Sequence, residues 1–138
     1  MATFDLRVRY SETGAEGFAY HANYYSWFDM VQTQFLEENG LSYQEIAEKG
    51  VHFLPIDVKS RYHAPAYFGD TLTVEMKVEA LSNVKTTLSY RVTRKSDQAP
   101  IVQCRITYAC MSRDFRPLVL KNALPALYRA LQSELDKA

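Results

Sequence analysis

Residues 9 to 29 gather the side chains whose types and spacing could do chemistry: Glu12 and Glu16 around the glycines Gly14 and Gly17, then His21, then Asp29. His21 stands at the expected start of a long helix. A helix start leaves backbone N–H groups without intrahelical partners, and their partial positive charge can hold a carbonyl oxygen as it becomes an oxyanion. The His21 N–H can do this whatever its side chain, while the imidazole can order water or shuttle a proton near neutral pH. The carboxylates each have a second reading. Glu16 precedes Gly17 in a turn, where a solvated acid is ordinary. Glu12 sits at a strand end, where it can cap the next turn or pair with Arg9. Asp29 lies about 140° around the helix from the centre of its apolar stripe, which makes it an exposed or partner-facing acid. Asn23 and Tyr24 are expected as helix-start and pocket-wall residues, and Tyr20 as a lining residue of the pocket, with core packing its alternative.

Other chemistries find no purchase. His21, His52 and His63 lack metal-ligand spacing and a cysteine partner, so no metal site is expected. There is no Gly-x-Ser-x-Gly elbow, phosphate loop or dinucleotide fingerprint. Sixteen basic residues balance sixteen acidic ones, so no global field favours nucleic acid or an anionic membrane. Apolar residues at 47% and charged residues at 23% fit a soluble globular chain, and 138 residues fit a single domain. With no apolar signal segment or membrane-length run, a cytoplasmic location is expected. Cys104 and Cys110, about 20 Å apart along one extended strand, read as free thiols packed in a core.

The elements that must carry these residues follow from periodicity. Phe4, Leu6, Val8 and Tyr10 alternate with polar residues as a half-buried strand does. Tyr24, Trp27, Phe28, Val31 and Phe35 recur at helical spacing, predicting a helix over 22–38 that ends at Asn39-Gly40. A shorter helix is expected from Tyr43 to Lys49, with Ser42 as cap and Glu45 three residues on. Four period-two segments follow, at about 53–63, 70–80, 84–95 and 101–112. A last helix carries Leu124, Leu127, Tyr128, Leu131 and Leu135 as an apolar stripe, with Asn122 as a candidate cap and Pro125 in its first turn. Strand, long helix, four strands and a helix specify an α+β domain in which an antiparallel sheet wraps one helix.

Arg9, Tyr10, Glu12, Thr13, Gly17, Tyr20, His21, Asn23, Tyr24, Trp27, Phe28 and Asp29 fall in register with a known signature, Arg-aromatic-x-acid-Thr-Asp-x-x-Gly-x-x-Tyr-His-x-x-Tyr with its aromatic helix. The run resembles that of the hotdog-fold acyl-CoA thioesterases, in the branch of 4-hydroxybenzoyl-CoA thioesterase and the YbgC-like enzymes. Tyr62-His63-Ala64-Pro65-Ala66-Tyr67-Phe68-Gly69-Asp70 resembles that family's Arg-Pro-Ala-x-x-Gly-Asp turn. The resemblance implies a curved five-stranded sheet around one long helix, one thioesterase domain over 1–138, and hydrolysis of an acyl-CoA or acyl-carrier-protein thioester without a cofactor. It also implies active sites between protomers, hence a homodimer at least and a homotetramer where dimers pair.

One position departs from the pattern. The family's catalytic aspartate corresponds to Gly14, which can neither attack a thioester nor activate water. Three readings stay open: Glu16, Asp29 or Glu12 orients the water; the chain binds acyl thioesters without turnover; or Gly14 is a substitution in an active parent. A hotdog dehydratase is a further alternative, weakened by the same missing carboxylate. On the expectation of a weakened enzyme, Gly14→Asp raises the rate ten-fold or more, about 1.4 kcal/mol of barrier. A CoA substrate would bring phosphates to local cations, for which Lys59, Arg61, Arg91, Arg94, Arg113 and Arg116 are candidates, Arg61 foremost, with a solvated sheet-face charge the ordinary reading of most of them.

Overall fold

Alternating apolar residues close into one antiparallel sheet in the computed structural model, which describes residues 2–137. Strands β1 (Ala2–Arg7), β2 (His52–Tyr62), β3 (Thr71–Leu81), β4 (Lys85–Arg94) and β5 (Pro100–Met111) lie in the order β1-β3-β4-β5-β2. Register carries the apolar set across the sheet in rows. Phe4, Val74, Val92, Val102 and Tyr62 make one row, and Val78, Leu88, Ile106 and Val58 another. Because side chains alternate with period two, these rows share one face.

That face is covered by α1 (Ala22–Glu38), with α2 (Tyr43–Glu48) beyond its end and α3 (Leu120–Ala123) and α4 (Pro125–Asp136) closing the tail. Trp27, Phe28 and Val31 are buried to 1% exposure or less, and Phe28 stacks on Tyr90 with ring centroids 4.4 Å apart. The stripe expected from the sequence is thus the contact between helix and sheet. Gly40, at φ 71°, takes the left-handed turn that ends α1. Ser42 accepts a hydrogen bond from the Glu45 amide at 3.2 Å, so α2 is capped as its sequence implied. Cys104 and Cys110 are free and buried. Among the described residues no helix is long and apolar enough to cross a membrane.

Two local expectations need correction. The first strand ends at Arg7, and Tyr10 turns outward at 78% exposure in a 3-10 turn over Tyr10–Glu12. The Glu12 carboxylate accepts from the Arg9 amide at 2.8 Å, and this closure outcompetes continued strand. Asn122 lies inside α3, and α4 begins with Pro125 at its first position after Leu124. Proline there lacks only an N–H that would have no helical partner anyway.

Candidate active site

The start of α1 is assembled by groups on three segments. The Glu12 carbonyl accepts from the Tyr20 amide at 2.9 Å and from Asn23 Nδ2 at 2.8 Å, tying the 3-10 turn to the helix. The Ala19 amide donates to the carbonyl of fully buried Ala66 at 2.7 Å, adding the turn between β2 and β3. Arg94 fixes that turn in place by donating to Asp70 Oδ2 at 3.0 Å and to the Pro65 carbonyl at 2.7 Å. Gly69, at φ 84°, allows the reversal.

So held, α1 begins after His21 with no side-chain cap. Among the described residues, the backbone N–H groups of His21 and Ala22 donate to no protein acceptor. These are orphan donors of a helix start, carrying the positive end of its dipole. The His21 ring is exposed, with ring centroids 4.8 Å from Tyr20 and 6.3 Å from Tyr62. Tyr62 itself comes from the far end of β2, brought to His21 by the fold rather than by nearness in sequence.

The carboxylates separate by environment. Glu12 is buried and accepts from buried Trp27 Nε1 at 2.8 Å as well as from Arg9. Burial pushes its carboxyl up, but the Arg9 amide, the Trp27 indole and the Arg9 guanidinium outweigh this and hold it below its usual value. Glu12 is therefore an anchor, as its capping reading had it. Glu16 stands exposed in a turn closed by hydrogen bonds from the Gly17 amide to the Gly14 carbonyl and from the Gly14 amide to the Phe18 carbonyl, both 3.0 Å. Gly14 has a φ open to any residue, and a Cβ there meets nothing within 4 Å.

Asp29 lies eight residues into the helix, about 12 Å along the axis from His21. It lines a cavity of about 670 Å³ beside α1, whose walls include Tyr25, Gln32, Tyr43, Val58 and Tyr108. Its carboxylate reaches solvent, yet packing on one side raises its proton affinity by desolvation. Of the remaining predicted residues, Asn23 is the brace described above, Tyr20 is exposed against His21, and Tyr24 is core, edge-on to Trp27 at 5.1 Å. Arg61 lies with Lys59, Arg91 and Arg105 along a depression on the outer face of the sheet, opposite α1. The structure thus brings together His21, Tyr20 and Asn23, and sets Asp29 and Arg61 apart from them within the protomer.

An antiparallel sheet curled around α1 is the hotdog architecture, and comparison with known proteins gives the family. The Thioesterase superfamily model matches residues 16–101, and the chain belongs to that family. It is 27% identical over 129 residues to YneP of Bacillus subtilis, covering 93% of each chain. It is 25% identical over 121 residues to the acyl-CoA thioester hydrolase YbgC of Escherichia coli O6:H1, covering 87% of each. A DHNA-CoA thioesterase from Staphylococcus aureus shares the fold with a TM-score of 0.88 at 22% identity, over 96% of this chain and 89% of that one.

Proposed function

We propose that the protein hydrolyses acyl-CoA thioesters to free acid and CoA, as one thioesterase domain acting in a homodimer in the cytoplasm. The observation that carries this reading is the helix start with unpaired His21 and Ala22 amides. Those amides would receive the thioester oxygen as it gains charge, a contribution that often dominates acyl transfer. The activity named for YbgC supports the same reaction.

With Gly14 lacking a carboxylate and Glu12 committed to Trp27, Asp29 is the acid best suited to act as base. Burial raises its affinity for a proton, the direction a general base needs. A water oxygen attacks the carbonyl carbon while Asp29 takes its proton. The tetrahedral oxyanion rests on the helix-start amides, then expels CoA thiolate, to which Asp29 returns the proton. Asp29 is too far from its own His21 to do this. In a two-fold dimer with antiparallel α1 helices crossing near Tyr25, it would serve the partner's helix start, since positions 21 and 29 are equally distant from 25. Strand β2 supports such a dimer: it is a sheet edge and exposes Leu54, Ile56 and Val58.

Thiol release from short, long and aromatic acyl-CoAs, and from one acyl-carrier thioester, tests the proposal. The parent should turn over at least one of them, and Asp29→Asn should lower kcat by about a hundred-fold or more. A ten-fold gain in Gly14→Asp would instead locate the missing carboxylate in the loop. Zero release throughout would favour a thioester-binding module.

A further inference from the structure

The cavity beside α1 contains one polar cluster that hydrolysis leaves unused. Gln32, three residues beyond Asp29, donates through its amide nitrogen to the hydroxyls of Tyr90 and of Tyr108, the latter at 2.7 Å. Its amide oxygen accepts from the Tyr43 hydroxyl. The Tyr90 and Tyr108 hydroxyls lie 3.1 Å apart. Both amide protons and the amide oxygen of Gln32 are therefore committed. Tyr43 donates to Gln32, and within the Tyr90–Tyr108 pair only one phenol can donate to the other. One phenolic proton is left with no acceptor in the cluster.

Its owner follows from burial. Tyr90 is 1% exposed, whereas Tyr108 is half-buried and lines the cavity, so the spare donor belongs to Tyr108. Turning the Gln32 amide end for end gives a spare donor to Tyr43, which lines the same cavity. Other walls of the cavity are apolar: Phe35, Leu36, Met76, Leu88, Leu127 and Leu131. A fixed donor in a cavity that otherwise holds a carboxylate and apolar walls selects a ligand with an acceptor to meet it and an apolar tail.

We propose that Tyr108, held by Gln32 and Tyr90, reads an oxygen substituent on the acyl chain, so that hydroxy- or oxo-acyl groups with an apolar tail are preferred over plain alkanoyl groups. This rests on the thioesterase reading with Asp29 at the reacting carbonyl. Asp29 and Gln32 are about 5 Å apart along the helix, so a substituent met by the phenol that Gln32 holds is expected within the first several carbons of the acyl chain. The cavity, at about 670 Å³, is within the size range of small-molecule sites.

Steady-state kinetics on decanoyl-, 3-hydroxydecanoyl- and 5-hydroxydecanoyl-CoA test this directly. One hydroxylated substrate should exceed decanoyl-CoA in kcat/KM by ten-fold or more, and the ratio should fall to near one in Tyr108→Phe. Tyr43→Phe, measured alongside, should lower that ratio too, because it loosens Gln32. A parent that prefers decanoyl-CoA, or a Tyr108→Phe variant that keeps the preference, overturns the proposal. If no thioester is cleaved, the reaction assignment fails and calorimetric titration with the corresponding free acids decides the pocket. Tighter binding of a hydroxy acid by the parent, lost in Tyr108→Phe, upholds the proposal, and equal binding of hydroxy and plain acids overturns it.

Discussion

Glu12 shows how one side chain can look catalytic and be structural. Its carboxylate satisfies the buried Trp27 indole and the Arg9 amide, and its carbonyl holds Tyr20 and Asn23. Replacing it by Ala strands a buried N–H donor, so Glu12→Ala should cost about 2–3 kcal/mol in denaturant unfolding. Because its folded proton affinity is lowered, its stabilisation is present above the ordinary carboxylate range and lost as pH falls through the folded value. Asp29 has the opposite sign. Its proton affinity is raised by burial, so ionising it works against folding. Asp29→Asn should therefore raise Tm at neutral pH and leave it unchanged in acid, while the acid limb of kcat/KM, shifted upward in the parent by the same desolvation, disappears. At this scale the sequence was half informative. The capping role of Glu12 could be read from spacing. The Gln32 cluster could not, because its hydrogen bonds join residues 58 and 76 positions apart on strands whose pairing no local pattern reveals.

Elements were more legible than residues because periodicity reports a buried face directly. Helix α1 spans Ala22–Glu38, the expected range, and β2 to β5 fall within a residue or so of expectation. Both misplacements occurred where side chains compete with regular structure: Glu12 ends β1 early, and Pro125 restarts the last helix. Strand order was not readable from periodicity, yet it is what brings Tyr62 to His21. The turn between β2 and β3 shows how elements position the site. Arg94 ties Asp70, Asp97 and Pro65 together, and Ala66 in that turn receives the Ala19 amide ahead of α1. Arg94→Ala should therefore cost roughly 2 kcal/mol in thermal or denaturant unfolding and also lower kcat, since the helix start loses its backing. Arg94→Lys cannot reproduce the forked contacts and should recover little of either.

Across the whole molecule, the separation of the helix-start amides from Asp29 is the fact that matters. Neither group can serve the other within a protomer, and the β2 edge with its exposed Leu54, Ile56 and Val58 offers the surface on which two copies would join them. Ile56→Asp, at an edge position outside the cavity, should lower dimer affinity in sedimentation velocity and reduce activity in step with the dimer fraction. Subunit mixing tests the shared site most directly. His21→Pro deletes one helix-start amide at a φ of −59°, which proline adopts without strain, and His21→Ala controls for loss of the imidazole. Asp29→Asn and His21→Pro should each be nearly inactive alone. After unfolding and co-refolding in equal amounts, half of the dimers are mixed and each carries one intact site, so about a quarter of parental activity should return. No recovery in proven mixed dimers would mean that each protomer holds its own complete site, and would contradict the account.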